Sequence, residues 1–369
     1  MCQHSARNEP RAKHKFPALV RSAHGPPQPG QLPTASLNAL AKPAQGAAYP
    51  LGLWFAAVLA SGQTGPVRVL LLVNSAASSV TGRRRVVIQK ALSADHEVAL
   101  AETARRGHAT RLARSAASEG TDVVVVLGGD GTLNEAANGL AGTGTALAAL
   151  PGGSTNVFAR IIGLPDDPIE AAGQLLDALD RGAIARIGLG AVDGRYFLFH
   201  CGIGFDAAVV EQVESRGPWK RWAGHPLFIY ATATTWLRRA HRRRPPMRVL
   251  DAQGETLAEG LFTIVLNADP YTYLGSRSFD LAPGIGLDEP LVAVTFPSLA
   301  LHRMVPVGLR ALGKGDVRDM AQTTVHAGLR DLTVTADPPM EYQVDGDHLG
   351  SAPRLRIRWA PEALRLVLP

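Results

Sequence analysis

Val123-Val124-Val125-Val126-Leu127-Gly128-Gly129-Asp130-Gly131-Thr132 runs from an unbroken apolar stretch straight into a glycine turn. A run that short, mostly β-branched and bounded by glycine, reads as a strand buried on both faces of a parallel sheet. Three glycines in four residues permit positive φ and let backbone N–H groups converge on an anion. Thr132 suits a helix N-cap, and Leu133-Asn134-Glu135-Ala136-Ala137-Asn138-Gly139-Leu140 carries the helix onward. A helix N-terminus just after a glycine turn favours phosphate. Asp130 is out of place in an anion nest unless a Mg2+ lies between it and the phosphates, because hard cations take carboxylate and phosphate oxygens together. A second turn repeats the arrangement. The strand Ala146 to Leu150 leads into Pro151-Gly152-Gly153-Ser154-Thr155-Asn156, then Val157-Phe158-Ala159-Arg160. One such turn could be a packing corner alone. Two on successive strands, each with a hydroxyl-rich helix start, favour phosphate chemistry.

Outward from this stretch the same alternation recurs. Val67 to Asn74 is an expected strand, Ser75 to Gly82 a small-residue loop and Arg83 to Leu92 a helix. Glu97 to Glu102 and His108 to Glu119 repeat strand and helix, and Asp167 to Leu179 is one more helix. Strand–helix alternation at this spacing means βαβ units in a right-handed, doubly wound, Rossmann-like parallel sheet. Ligands of such sheets bind beyond the carboxyl ends of the strands. Asn74, Thr103, Gly128 to Thr132 and Ser154 to Asn156 all follow an expected strand end, so they are expected to line one crevice. After Arg186 the pattern changes to short apolar segments punctuated by glycine and proline: Ile187 to Val192, Tyr196 to His200, Met247 to Asp251, Leu261 to Leu266, Leu291 to Phe296, Leu332 to Ala336 and Leu355 to Trp359. That pattern signals an antiparallel β-sandwich domain.

The expected organisation is a disordered tail or leader over 1–64, an α/β domain over 66–186 and a β-rich domain over 187–352. Residues 1–46 are rich in Pro, Ala, His, Ser and Gln without apolar periodicity. Leu51 to Ala60 is apolar but short for a transmembrane helix. With 46% apolar and 19% charged residues the chain can bury a sizeable core. The net charge of +6 attracts anionic partners without choosing among them. No zinc-finger spacing, RNA-recognition signature or heptad run is present, so nucleic acid is not an expected partner. Two cysteines, Cys2 and Cys201, exclude a disulfide framework and fit a reducing compartment.

At Gly128-Gly129-Asp130-Gly131-Thr132-Leu133-Asn134-Glu135 the chain resembles the nucleotide-binding signature of the diacylglycerol kinase catalytic domain family, which includes bacterial lipid kinases and sphingosine kinases. Ser154-Thr155-Asn156-Val157-Phe158-Ala159-Arg160 is similar to that family's next motif. The resemblance implies ATP and Mg2+ as cofactors, with ATP held at Asn74, Thr103, Gly128 to Thr132, Asn134, Glu135 and Ser154 to Asn156, and Mg2+ at Asp130. Asn74 corresponds to an Asn-Pro-x-Ser-Gly loop, with Ser75 where proline is usual. Thr103 to Ala109 looks like a Thr…Gly-His-Ala segment near the adenine. The resemblance further implies that residues 353–369 return to the first domain.

Later motifs carry the acceptor side. Cys201 to Val210 places glycines and Asp206 toward an interdomain cleft. In the sphingosine kinase branch the similar aspartate contacts the lipid hydroxyl, while a helix N-cap is the plainer reading. Arg160 joins Asp206 as an expected substrate residue. Asn267 to Gly275 resembles the family's Asn…Pro-Tyr…Gly loop. Leu287-Asp288-Glu289-Pro290 stands where some bacterial members hold a structural Mg2+, so Asp288 is a candidate ligand. Tyr342-Gln343-Val344-Asp345-Gly346-Asp347 stands where relatives read Asp-Gly-Glu. Their first carboxylate is assigned as general base, which implies Asp345 as base with Asp347 and Asp130 assisting; without the resemblance the segment is a hairpin turn. Trp236 to Pro246 is a basic run beside apolar residues, fitted to an anionic membrane surface or to a solvated helix end.

The function so implied is transfer of the ATP γ-phosphate to a lipid hydroxyl, diacylglycerol first, in a cytoplasmic protein bound peripherally to the inner face of the membrane. A sphingoid base, ceramide or another lipid alcohol stays open as acceptor. So do a soluble-substrate kinase of the NAD kinase or phosphofructokinase kind, a nucleotide-responsive binding protein without catalysis, and a homodimer.

Overall fold

Val123 to Leu127 is at most 1% exposed along its whole length, as a strand covered on both faces requires. In the computed structural model, which describes residues 65–204, 207, 247–313 and 315–369, this run is β3 (Val123–Gly128). It lies in a parallel sheet with β1 (Arg68–Val73), β2 (Glu97–Glu102) and β4 (Ala146–Pro151), in the order β2-β1-β3-β4. The intervening helices are α1 (Gly82–Asp95), α2 (His108–Ser118), α3 (Asp130–Leu140), α4 (Val157–Ile161) and α5 (Pro168–Asp180). Chain order reverses between β1 and β3, so a switch-point crevice opens where Asn74 follows β1 and Gly129 follows β3.

Beyond Ile184 the strands become antiparallel. They are β5 (Ile184–Val192), β6 (Arg195–Phe197), β7 (His200–Ile203), β8 (Met247–Leu250), β9 (Thr256–Gly260) and β10 (Phe262–Leu266). Then come the ribbon β11 (Thr272–Leu274) and β12 (Arg277–Phe279), β13 (Leu291–Phe296), helix α6 (Leu301–Leu312), β14 (Thr324–Leu329), β15 (Asp331–Val344) and β16 (Asp347–Val367). Two branches leave β15. Thr333 to Ala336 pair with β8, while Tyr342 to Val344 pair with β7, followed by β10, β13 and β14. Between them lies a core that includes Val249, Ile264, Val294 and Ile357. The architecture is thus a mixed sheet, parallel and helix-covered at one end, antiparallel at the other.

β16 joins the two ends. Ile357 to Ala360 and Leu364 to Val367 pair antiparallel with β5, and Arg365 and Leu366 pair parallel with β4. Its last apolar residues, Leu364, Leu366 and Val367, enter the core beneath β1 to β4.

The boundaries differ from expectation at two helices. α3 begins at Asp130 with Gly129 as its cap, so Thr132 is not the N-cap. The Thr132 hydroxyl instead accepts a 2.9 Å hydrogen bond from Asn74 Nδ2, which ties the β1 loop to α3. α6 is not among the expected elements: its first turn has no capping side chain and Pro306 lies inside it. The tail 1–64, Asp206 and the basic run 236–246 lie outside the described residues.

Candidate active site

The glycines of the two turns are needed for close approach, not for positive φ. Gly129 has φ −89°, and Gly128, Gly131, Gly152 and Gly153 are likewise absent from the left-handed region. A Cβ on Gly152 would lie 2.8 Å from the backbone of Gly128, and one on Gly153 would lie 2.9 Å from Gly129 Cα. The β3 and β4 turns therefore pack backbone on backbone, and Gly152 N donates to Gly128 O at 2.9 Å. This brings the start of α3 to the rim of the crevice, where Thr132 N and Leu133 N donate to Gly129 O and the Asp130 and Gly131 N–H groups precede that ladder.

The crevice has a volume of about 400 Å3. Its walls are Asn74 and Ala76 after β1, Thr103 to Arg106 after β2, Gly131, Thr132 and Glu135 of α3, and Asp347 at the start of β16. Asn74 is fixed from both sides: its N–H donates to Leu127 O and its Oδ1 accepts from Ala76 N at 3.1 Å. Glu135 takes Gly107 N at 2.7 Å and Ala109 N at 3.1 Å, so it braces the start of α2.

Asp347 is the carboxylate that faces the crevice. Its Oδ1 lies 3.4 Å from where a Cβ on Gly131 would stand. Its Oδ2 is paired with Arg195 at 3.1 Å and Arg106 at 3.4 Å. Oδ1 has no hydrogen-bond partner among the described residues. Arg195 also donates to Asn134 Oδ1 at 2.8 Å, so the guanidinium fixes Asp347 against α3.

Asp345, expected as base, does not line the crevice. It is 4% exposed. Its Oδ2 accepts from Leu198 N and Asn134 Nδ2, both at 2.7 Å, and its Oδ1 accepts from Phe199 N and His200 N. Two donors on each oxygen leave no lone pair for a substrate hydroxyl. Burial pushes the carboxyl up to about 6, against the pull of those donors. Asp345 and Gly346 both have positive φ (48° and 83°), the two-residue turn that a tight hairpin needs. The turn aims Asp347 at the crevice.

Asp130, expected at the metal, does not line the crevice. Its carboxylate accepts from Val157 N at 3.0 Å and Phe158 N at 3.1 Å, capping α4 rather than facing the crevice. Burial raises its pKa, offset in part by these donors. Asn156, at φ 48°, closes on Gly153 through its own amide, accepting from its N–H and donating to its carbonyl. Ser154, Thr155 and Asn156 are not among the crevice walls. Asn134 is fully buried and joins α3 to Tyr196 O and Asp345. Arg160 donates to Gly275 O at 2.9 Å, and its guanidinium stacks 3.6 Å above the Tyr273 ring. Asp288 is exposed on a turn, and no group of three or more ligating side chains is assembled there or elsewhere among the described residues. A divalent ion carried on nucleotide phosphates needs only one or two protein carboxylates.

Sequence reasoning missed Arg106 and Arg195. Arg106 stands in the quoted Thr103 to Ala109 segment, and Arg195 follows the Asp193-Gly194 turn, but neither position marks its direction.

A crevice beyond the strand ends, with Arg105 and Arg106 on its rim and one carboxylate aimed into it, suits phosphotransfer chemistry on an α/β sheet. The profile of the diacylglycerol kinase catalytic domain matches residues 68–190. The "Probable lipid kinase YegS-like" of Pseudomonas aeruginosa UCBPP-PA14 is 31% identical over 305 residues, covering 82% of this chain and 94% of that one. The diacylglycerol kinase of Bacillus subtilis is 39% identical over 115 residues, 30% of this chain and 37% of that enzyme. The crystal structure of a diacylglycerol kinase from Bacillus anthracis superposes with a TM-score of 0.61 at 20% identity, over 82% of this chain and 97% of that one, and shares the fold. The chain belongs to the diacylglycerol kinase catalytic domain family of lipid kinases.

Proposed function

We propose that the protein transfers the γ-phosphate of ATP to the hydroxyl of a lipid alcohol, with diacylglycerol as first candidate and phosphatidic acid as its product. The observation that carries this reading is Asp347: one carboxylate oxygen, held by Arg195 from behind, directed at the start of α3. A nucleotide would occupy the crevice with its adenine toward Thr103 and its phosphates toward the N-terminus of α3. Arg105 and Arg106 draw it in by charge, and the first-turn N–H groups of α3 receive its phosphates. The fit rests on Gly131 and Thr132 at the start of α3, which line the crevice opposite Arg105 and Arg106. A divalent ion bound with the nucleotide neutralises phosphate charge. Asp347 Oδ1 accepts the hydroxyl proton as the lipid oxygen attacks phosphorus and the bond to the leaving diphosphate breaks. Arg195 keeps Oδ2, so the proton has one destination. Most of the rate comes from alignment and charge neutralisation.

The test is transfer of labelled γ-phosphate from Mg·ATP to a panel of lipid alcohols in mixed micelles, with Asp347→Asn as control. Label in a lipid, lost by a factor of at least about 100 in the control, is the expected result. Label only in a soluble alcohol, or none with ATP still bound, overturns the lipid reading.

A further inference from the structure

Seven large apolar side chains stand out as exposed among the described residues, and three of them lie on one helix. Leu301, Val305 and Leu309 of α6 are 56%, 47% and 67% exposed. The other four, Val86, Val87, Leu100 and Ile169, are dispersed over α1, β2 and α5, as ordinary surface residues are. The α6 trio recurs every four residues, so it forms one stripe along the helix.

The helix is seated from its opposite face. Val307 and Ala311 are buried in the antiparallel core, and Asp280 N donates to Ala311 O at 3.0 Å. At about 100° per residue the outward half of α6 divides in two. Leu301, Val305, Leu309 and the half-exposed Leu312 share one sector, and His302, Arg303 and Arg310 occupy the next. No acidic residue occurs in Leu301–Leu312. The nearest acid in sequence, Asp316, follows the helix and is already paired with Arg318, and Asp280, which touches the helix at Ala311, is buried.

We infer that this face of α6 is the surface on which the protein docks on an anionic lipid bilayer. An apolar sector beside a cationic one is what a helix lying in the membrane interface needs: the first enters the headgroup boundary and the second meets lipid phosphates. A second copy of the chain fits less well. Three side chains offer on the order of a few hundred Å2 of apolar area, against roughly 800 Å2 per partner in a stable protein interface. The surface is also joined to the end of the second glycine motif. α6 packs on β12, and Gly275, between β11 and β12, accepts from Arg160 at the end of the second glycine motif. This inference rests on the lipid-kinase reading for its purpose, since an enzyme with a bilayer-resident acceptor must reach the bilayer.

The experiment is co-sedimentation of the full chain with phosphatidylcholine vesicles, with and without added phosphatidylglycerol, alongside phosphoryl transfer to a long-chain lipid in those vesicles and to a short-chain soluble analogue. Leu309→Asp is expected to lower partition at least about tenfold. Arg303→Gln is expected to lower it about fivefold, and only on the anionic vesicles. Val87→Asp, at a 40% exposed site on α1, leaves it unchanged. Leu309→Asp keeps its melting temperature and its turnover of the soluble analogue while losing the vesicle substrate. Partition of Leu309→Asp equal to the unaltered protein overturns the inference, whatever the kinase assay shows. Lost partition with no lipid labelled upholds the docking surface and removes the lipid-kinase reading instead. A dimer dissolved by Leu309→Asp, with no vesicle binding, assigns the stripe to a second copy and overturns it.

Discussion

Asp345 and Asp347 stand two residues apart and have opposite fates, because a tight turn between them sends one carboxylate inward and the other into the crevice. Four donors converge on Asp345, so Asp345→Asn would turn one amide N–H against backbone N–H groups in a buried site. That exchange should cost about 2–3 kcal/mol of stability, seen as a fall in melting temperature before any loss of turnover per folded molecule. Asp347→Asn should do the reverse, keeping the melting temperature and losing kcat. A variant pair in which Asp345→Asn stays stable but inactive would return the base to Asp345. The raised pKa of Asp345 gives a second test. With a folded value of about 6 against an ordinary value of 3.8, the folded state holds a proton between these limits that the unfolded state has lost. Its contribution to stability is therefore fully present below about pH 4 and is lost as pH rises to about 6, at up to about 1.4 kcal/mol per pH unit. Denaturant midpoints from pH 4 to 7 should carry this slope in the unaltered protein, and it should vanish in Asp345→Asn. Parallel curves would show that Asp345 does not titrate in this window.

The two glycine turns act as elements through what their neighbours permit. Gly152→Ala places a methyl 2.8 Å from Gly128 backbone, where nothing can yield without separating β3 from β4. It should cost about 1–3 kcal/mol and weaken nucleotide binding with it, read by thermal shift with and without Mg·ATP. Gly131→Ala meets Asp347 Oδ1 at 3.4 Å, an ordinary contact, and alanine favours the helix by about 1 kcal/mol. It should hold or raise the melting temperature while crowding the proton acceptor and lowering kcat. Full turnover in Gly131→Ala would move the chemistry away from that wall. These turns also mark how far the sequence could be read. β3, β4 and the helices after them were legible because unbroken apolar runs and glycine punctuation are local signals. The reason for the glycines was not, since no spacing shows that Gly152 will lie against Gly128. Asn74, Thr103, Gly131, Thr132, Glu135 and Asp347 were placed at the crevice by strand-end logic and resemblance. Asp130 and Asp345 lie off the crevice wall for reasons no spacing shows, since the backbone N–H groups each carboxylate accepts from come from segments distant in sequence. Arg106 and Arg195 reach the crevice from loops whose direction only tertiary packing decides.

At the scale of the molecule, β16 makes the two cores interdependent. Leu355 and Ile357 belong to one core and Leu364, Leu366 and Val367 to the other, on a single strand. β5 does the same, with Ile187 and Leu189 on one side and Val192 on the other. The buried Asn134–Asp345 bond adds a link between α3 and the β15–β16 turn. Unfolding either end alone would expose half of each shared strand and strand those polar partners without donors, so a half-folded state should be poorly populated. Native-state hydrogen exchange tests this directly. The slowest amides of β4 in the parallel end and of β10 in the antiparallel end should open with the same free energy, within about 1 kcal/mol, because both report the global transition. They should also gain equal protection from saturating Mg·ATP, although the nucleotide touches only one end, since a ligand bound to the native state raises the global free energy for every amide that exchanges through it. A β10 ceiling lower by about 3 kcal/mol or more, indifferent to nucleotide, would mean that β16 does not couple the cores. Asp347, at the head of that strand, would then be carried by the less stable part, and binding at α3 could not hold the proton acceptor in register.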